Sequence, residues 1–527
     1  MAVQTDVTTE GHRDVAAGAH LIDPIAVAIR TRRPEAPPSE RFSATDPSPG
    51  LDIARHPLVA KILHDRKFQF LMILPNQIIF WLVIGIGLLG TVVPGLNFAT
   101  AITWYLWFAL VFVMMVVVGR AWCAMCPFGG FGEWVQRHAF WKRKNSSIGL
   151  GLKMPERVAQ YGFLLSVGAF LLLTWIEEFF NIAGPGNPAS TSFMVLGIVG
   201  SALLFFLVFE RRTFCRYVCP LTALIGTVGT MGSVAGFRTR DREVCESCET
   251  KDCMRGDADG YGCPWYTWPG SADSNLTCGL CTECYKACPS DNIGLFVQPP
   301  LTSVVAPTRR RADVAWAVAL LWGLVLFQQV NATNVYASVD GWLTGITHIR
   351  YPNPIDYLGL IGLFALAFAG IGWVLSQAFG RSDLPPSSPA ASRSFVDRTS
   401  RFRSFFVPLA YGVIPVVGAD YFARQLPKFF KHASRIVPSV GAWFGHGSVH
   451  STLYNTRMLS NPEIVAVQIA VIGLGTVAAL WATWKIAGRD LVPVASHPVG
   501  ARVATLGVVL GFGVLASVLY VIMHAAS

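Results

Sequence analysis

Eight stretches of this chain are apolar for about the length that a helix needs to cross a bilayer core, roughly 20 residues for 30 Å. They cover 70–93, 98–118, 158–176, 193–209, 314–330, 357–378, 464–484 and 503–523. Each was ended at its first unpaired charge, because a charge at mid-membrane costs roughly 2.5–3.5 kcal/mol. A ninth stretch, 405–422, contains Pro408, Pro415 and Asp420, and reads either as a span or as a re-entrant or interfacial piece. Only 14% of the 527 residues are charged, against about 25% in a soluble protein. The expected fold is therefore a polytopic α-helical membrane protein of about eight or nine transmembrane helices. A soluble enzyme and a disulfide-stapled module are excluded.

Basic residues alternate along the chain. Arg55, Lys61, Arg66 and Lys67 precede the first stretch. Arg120, Arg137, Lys142, Arg143, Lys144, Lys153 and Arg157 follow the second. Arg211, Arg212, Arg216, Arg238, Arg240, Arg309, Arg310 and Arg311 lie between the fourth and fifth. Segment 177–192 carries Glu177 and Glu178 and no Lys or Arg. The positive-inside rule puts the basic loops, and the N-terminus, on the cytoplasmic side of a cell (inner) membrane. Beyond residue 378 the alternation fails, since Arg424, Lys428, Lys431 and Arg435 would lie outside if 405–422 spans. The first 60 or so residues lack the apolar h-region of a signal peptide and read as disordered tail. Segment 382–400 reads as a flexible linker.

All 12 cysteines fall between Cys123 and Cys288, in or beside loops assigned to the reducing cytoplasm. Disulfides are not expected there, and spaced thiolates point to metal. Cys278, Cys281, Cys284 and Cys288-Pro289 form the run C-x2-C-x2-C-x3-C-P. In two-cluster ferredoxins the fourth cysteine of this run ligates the other cluster. A zinc knuckle fits less well, because zinc sites usually pair two C-x2-C hooks. Just upstream, Cys245, Cys248, Cys253 and Cys263-Pro264 repeat the logic with wider gaps. The ferredoxin swap assigns Cys245, Cys248, Cys253 and Cys288 to one 4Fe–4S cluster, and Cys263, Cys278, Cys281 and Cys284 to another. Asp252, Asp257 and Asp259 are alternative ligands, although a solvated acidic loop is the plainer reading.

The remaining four cysteines form an internal repeat. Arg120-Ala-Trp122-Cys123-Ala-Met-Cys126-Pro127 follows the second apolar stretch, and Arg212-Thr-Phe214-Cys215-Arg-Tyr-Val-Cys219-Pro220 follows the fourth, 92 residues on. Two such units packed about a pseudo-two-fold axis would bring both pairs to the cytoplasmic membrane edge. Four thiolates there suffice for a third Fe–S cluster, with Arg120, Arg212 and Arg216 offsetting its charge. Buried structural cysteines are the alternative.

On these motifs, residues 70–297 resemble the membrane-bound polyferredoxins of the NosR/NapH type, also seen in the CcoG oxidase-assembly proteins. The resemblance implies electron transfer between a quinone pool, a cytoplasmic donor and a partner enzyme or respiratory complex, in the manner of a quinol dehydrogenase component. An assembly or maturation factor that reduces a metal or a partner of a respiratory metalloenzyme is the rival reading. This chain departs from the pattern in three ways. Its first motif is C-x2-C-P where the family usually has C-x3-C-P, its N-terminal segment is too short for a flavin domain, and four or five further apolar segments follow residue 312.

The implied organisation is a disordered tail (1–68), a four-helix membrane unit (69–240), an inserted cytoplasmic dicluster ferredoxin-like α+β module (241–300), and a C-terminal membrane region (312–527) with its linker at 382–402. The C-terminal region has no assigned role; a transporter-like half would need clustered polar residues in its spans. His348, His446 and His450 read as loop histidines, with haem, metal or quinone chemistry the sharper alternative. Glu177 and Glu178 read as an interfacial carboxylate pair, or as a proton or cation port. Glu133, Trp134 and His138 would either line a quinone head-group site or anchor an amphipathic helix. Gly129, Gly130 and Gly132 follow no strand, so nucleotide binding is a weak reading. The net charge of +10 sits at membrane edges, where it meets lipid rather than nucleic acid.

Overall fold

The computed structural model describes residues 50–141, 148–183, 187–307, 310–349, 352–381 and 401–525. The tail through residue 49, the linker at 382–400, and Lys142, Arg143, Lys144 and Arg309 lie outside the described residues.

The chain enters through a short strand, β1 (Leu51–Asp52), and helix α1 (Pro57–His64). These residues were expected to be disordered tail; pairing of β1 with a distant strand orders them. Four long apolar helices follow in two pairs: α2 (Lys67–Leu89) with α3 (Phe98–Val118), and α5 (Gly162–Phe179) with α6 (Pro188–Val208). Between the pairs lies α4 (Pro127–Arg137). Cys126 caps its start, Pro127 occupies its first turn, where a missing N–H costs nothing, and His138 ends it at φ 50°. Helix α4 packs on α2 and α6. It comes so close to α6 that a Cβ on Gly132 would stand 2.2 Å from the Phe206 ring. The three glycines of this segment thus serve packing.

After α6 the second Cys-Pro turn leads into α7 (Leu221–Val228), buried from Thr222 onward. The chain then builds a three-stranded antiparallel sheet in the order β1-β3-β2, from β2 (Val234–Thr239) and β3 (Ile293–Val297). Leu51 pairs with Val297 and Val234 with the same residue from the other side. A bulge between Val234 and Gly236 puts Gly236 at φ +89°, against the Cys278 side chain. The cysteine loops hang between β2 and β3. The sheet therefore takes strands from both sides of the expected 241 boundary.

The C-terminal region holds α8 (Ala312–Val330), the outer helix α9 (Asn334–Thr347), α10 (Pro354–Phe379), α11 (Arg401–Gly412), α12 (Ile414–His432), α13 (Asn461–Asp490) and α14 (Pro498–Ala525). Helix α8 is the hub: 83% of its apolar window is buried, against 33% for α10, α13 and α14. Those outer helices present leucines such as Leu363, Leu366 and Leu474 outward, as a lipid-facing surface would. Among the described residues, eight helices are long and apolar enough to cross a membrane. The ninth stretch is two helices, α11 and the segment from Ile414, bent by 42°. The bend falls at Val413, between Gly412 and Pro415, where proline removes a main-chain donor. Two of the four basic residues that broke the charge alternation have carboxylate partners: Lys428 reaches Glu177 at 3.8 Å and Arg424 reaches Glu178 at 3.7 Å, both at the end of α5.

Candidate metal centres

Cys123, Cys126, Cys215 and Cys219 line one cavity of about 350 Å³ between the first four spans. The two turns that deliver them differ locally. Cys123 sits on the short α-helix Ala121–Met125, whereas Cys215 sits on a π-helical turn, Phe214–Val218. The wider π turn absorbs the extra residue of the C-x3-C spacing, so unequal spacings still deliver both pairs to one place. Burial pushes the Cys126 thiol up to about 12, with the Cys219 sulfur adding to the rise. Burial likewise pushes Cys219 up to about 11, with Cys123 adding. Four buried sulfurs this close cannot all ionise unaided; iron in place of the protons would let them.

The repeat arginines flank these cysteines. Arg120 and Arg212 are each 1% exposed. Arg120 donates to the Leu276 carbonyl at 2.5 Å and lies 3.7 Å from the Cys123 sulfur. Arg212 donates to the Cys123 carbonyl at 2.9 Å and to Glu133 at 2.6 Å. Glu133 is buried and also holds Arg137 at 3.0 Å. Burial alone would raise its pKa, but Arg137 and Arg212 hold it below the usual carboxylate range. Glu133 is thus shared between two arginines. It fixes Arg212 against the cysteines. Trp134 is half-buried and packs on Phe70 and Phe140, and His138 is exposed.

Within the module, Cys245, Cys248, Cys253 and Cys288 line a second, small cavity together with Asp252, Lys251 and Trp268. The Asn292 amide donates to the Cys245 sulfur at 3.4 Å, and its main-chain N–H donates to the Cys288 sulfur at 3.3 Å. Burial raises the Cys253 thiol, with Cys245 and Cys288 adding to it. Cys263, Cys278, Cys281 and Cys284 form the third group. Burial raises Cys284 well above the thiol range, and Cys263, Cys281 and Cys278 are the next contributors. The main-chain N–H of Thr267 donates to the Cys263 sulfur at 3.3 Å, and Arg211 holds the Cys263 carbonyl at 2.8 Å. N–H groups aimed at sulfur stabilise thiolate, so the donor sets suit iron–sulfur clusters. Among the described residues no three His, Cys, Asp or Glu side chains are grouped so as to hold a single metal ion. Asp257 and Asp259 turn away, Asp257 accepting from Asp259 and Gly260 N–H groups and Asp259 pairing with Arg66. His348, His446 and His450 lie exposed.

Trp265 was not singled out by sequence, although it follows Cys263-Pro264 as Phe128 follows Cys126-Pro127. It lines the membrane-unit cavity, and Arg120 stacks on its ring at 4.5 Å. It thereby joins the membrane-unit cysteines to the third group.

A family model described as a 4Fe–4S binding domain matches residues 100–147 and 191–235. These are the two repeat units with Cys123, Cys126, Cys215 and Cys219, not the ferredoxin-like run. No curated protein and no solved structure matches the chain. The two matched segments and the buried thiols they bring together identify a 4Fe–4S binding protein, built on helices fit to lie in lipid.

Proposed function

We propose that this protein is a membrane-bound electron-transfer protein that relays electrons between a membrane redox partner, in our reading the quinone pool, and a cytoplasmic or enzyme partner. The observation that carries this reading is the adjacency of the cysteine groups: Trp265 and Arg212 stand between the Cys123 group and the Cys263 group, and the Cys263 N–H donates to the Cys253 carbonyl at 2.8 Å. Cys245, Cys248, Cys253 and Cys288 would hold one 4Fe–4S cluster, Cys263, Cys278, Cys281 and Cys284 a second, and Cys123, Cys126, Cys215 and Cys219 a third. Clusters so held accept and release single electrons.

The residues around them have separate tasks. Arg120 and Arg212 offset thiolate charge where burial makes it costly. Asn292 and the Thr267 N–H stabilise thiolate in the module. The cavity beside the membrane-unit cysteines extends along α2, α3 and α6 over Phe80, Val83, Ile102, Met114 and Ile198. Its size falls within the ~300–1,000 Å³ of small-molecule sites, and its apolar walls suit a quinone. Basic loops beside the cysteines support a cytoplasmic position for the module at the cell membrane.

The test is iron and acid-labile sulfide analysis of the purified chain, with redox-titrated EPR and a quinol-driven reduction assay. Three cluster equivalents reduced by quinol are expected. Absence of iron refutes the reading. Clusters inert to quinol, together with loss of metal from a partner enzyme on deletion, would favour the assembly-factor role.

A further inference from the structure

Asp420 is fully buried in α12, in the region of the chain to which no cysteine belongs. Gln329 of α8, itself 1% exposed, donates its amide N–H to Asp420 Oδ1 at 2.6 Å. The other two oxygens of this pair, Asp420 Oδ2 and Gln329 Oε1, have no hydrogen-bond partner. Both are acceptors while the carboxyl is ionised. One proton on Oδ2 turns that oxygen into a donor and removes the charge from a fully buried group. A carboxylate buried among neutral donors, the Gln329 amide and the Tyr520 hydroxyl, is expensive, and a carboxylic acid there is not.

The nearest cation is Arg424, one turn along α12, and its charge acts on Asp420. Along α12, Arg424 and Lys428 are committed to Glu178 and Glu177 of α5. From α8 come Gln328 and Gln329, with Asp313 at the far end. From α13 comes Gln468, bonded to the Ala423 carbonyl at 2.9 Å; Glu463, Lys485, Arg489 and Asp490 lie towards that helix's ends. Helix α14 brings Tyr520, whose hydroxyl donates to the Asp420 main-chain carbonyl at 3.3 Å. Tyr105 of α3 and Arg435 lie past the other end of α12. Helix α11 carries Tyr411, with Arg401 and Arg403 at its start. The remainder of α3, and α7, bring no titratable side chain.

From this geometry we infer that Asp420 and Gln329 form a proton-binding site in the C-terminal membrane region, which exchanges its proton with the face that carries Glu177 and Glu178. The step is simple: one proton adds to Asp420 Oδ2, and no other bond changes. The charged ladder Glu178, Arg424, Glu177 and Lys428 leads from that face towards Asp420. Its nearest rung, Arg424, stands four residues along α12 from Asp420, a rise of about 6 Å in a helix.

The test is infrared difference spectroscopy of the full chain in lipid, titrated with pH, using wild type with and without 13C-aspartate, Asp420→Asn and Gln329→Leu. Asparagine mimics the neutral acid, so the fold should persist. The expected result is a protonated-carboxyl band in wild type that grows as pH falls and shifts with 13C-aspartate and in D2O. It should be absent in Asp420→Asn and moved in Gln329→Leu. The inference is overturned if no aspartate band titrates in the wild type, if the band ignores D2O, or if it survives in Asp420→Asn. None of these readouts needs a loaded cluster, so the result stands apart from the electron-transfer reading.

Discussion

Changing Glu133 to Gln keeps the shape of the side chain and removes its charge. The variant leaves Arg212, 1% exposed, without its buried counter-charge, held only by neutral acceptors such as the Cys123 carbonyl. Removing one member of a buried ion pair typically costs about 3–5 kcal/mol, because the survivor keeps its desolvation cost. Arg137 adds little to this. It is only part-buried and keeps its contact on the Tyr261 ring at 3.6 Å. We therefore expect Glu133→Gln to lose about 3–5 kcal/mol. The assay is unfolding of the purified full chain in detergent, followed by tryptophan fluorescence, for Glu133→Gln, Arg212→Met and the double variant. Losses in the double variant should fall short of the sum by roughly 1–3 kcal/mol. The sign of the pH dependence follows from Glu133 being held below its ordinary value. Its contribution is complete above about pH 4.3, the unfolded value, and is lost as pH falls through the lower folded value. Glu133→Gln should lack that acid-side loss. A Glu133→Gln variant within about 0.5 kcal/mol of wild type, or an additive cycle, refutes the reasoning.

Gly132→Ala places a methyl group 2.2 Å from the fully buried Phe206 ring, which should cost about 1–3 kcal/mol and loosen α4; thermal unfolding and iron content of the membrane unit report it. Gly236→Ala combines φ +89° with a Cβ 2.9 Å from the Cys278 sulfur. It should cost about 1–3 kcal/mol in strain and deplete module iron while sparing the membrane-unit site; acid-labile sulfide and EPR of the variant check this. Asn292→Ala removes the side-chain donor to Cys245 and should lower the reduction potential of the Cys245 group, since bonds to sulfur favour the reduced, more negative cluster; redox-titrated EPR measures the shift.

The spans and the cysteines were legible because each carries its signal locally, about 20 apolar residues in one case and fixed short spacings in the other. What sequence did not disclose depends on distant partners. Two residues, Leu51 and Asp52, are too few to show alternation, and only Val297 and Phe296 make them a strand. The role of Glu133 was hidden because its partner, Arg212, lies 79 residues away. The irregular Cys-Pro spacing reads as a departure until the π turn at Phe214–Val218 shows where the extra residue goes. Asp420 looked like a blemish in an apolar run because its amide partner belongs to another helix. The cue for a transporter-like half was hidden for the same reason: few polar residues stand together in sequence, yet Gln329, Asp420, Gln468 and Tyr520 meet around α12.

The order of strands in the small sheet has a practical corollary. A fragment cut at 241–300 would keep the ferredoxin-like cysteine run and lose two strands of three, along with the Asp52–Arg240 ion pair at 2.8 Å that pins the outermost one. It would also leave behind Arg211, the grip on the Cys263 loop. The cysteine-bearing loops are stitched to the helices through residues upstream of them. They cannot be grafted as a cassette onto another carrier, and any transplant has to begin by residue 50. A ribosome has already delivered β1 when the cysteines emerge, so that strand waits for some 240 residues of chain before its partner exists.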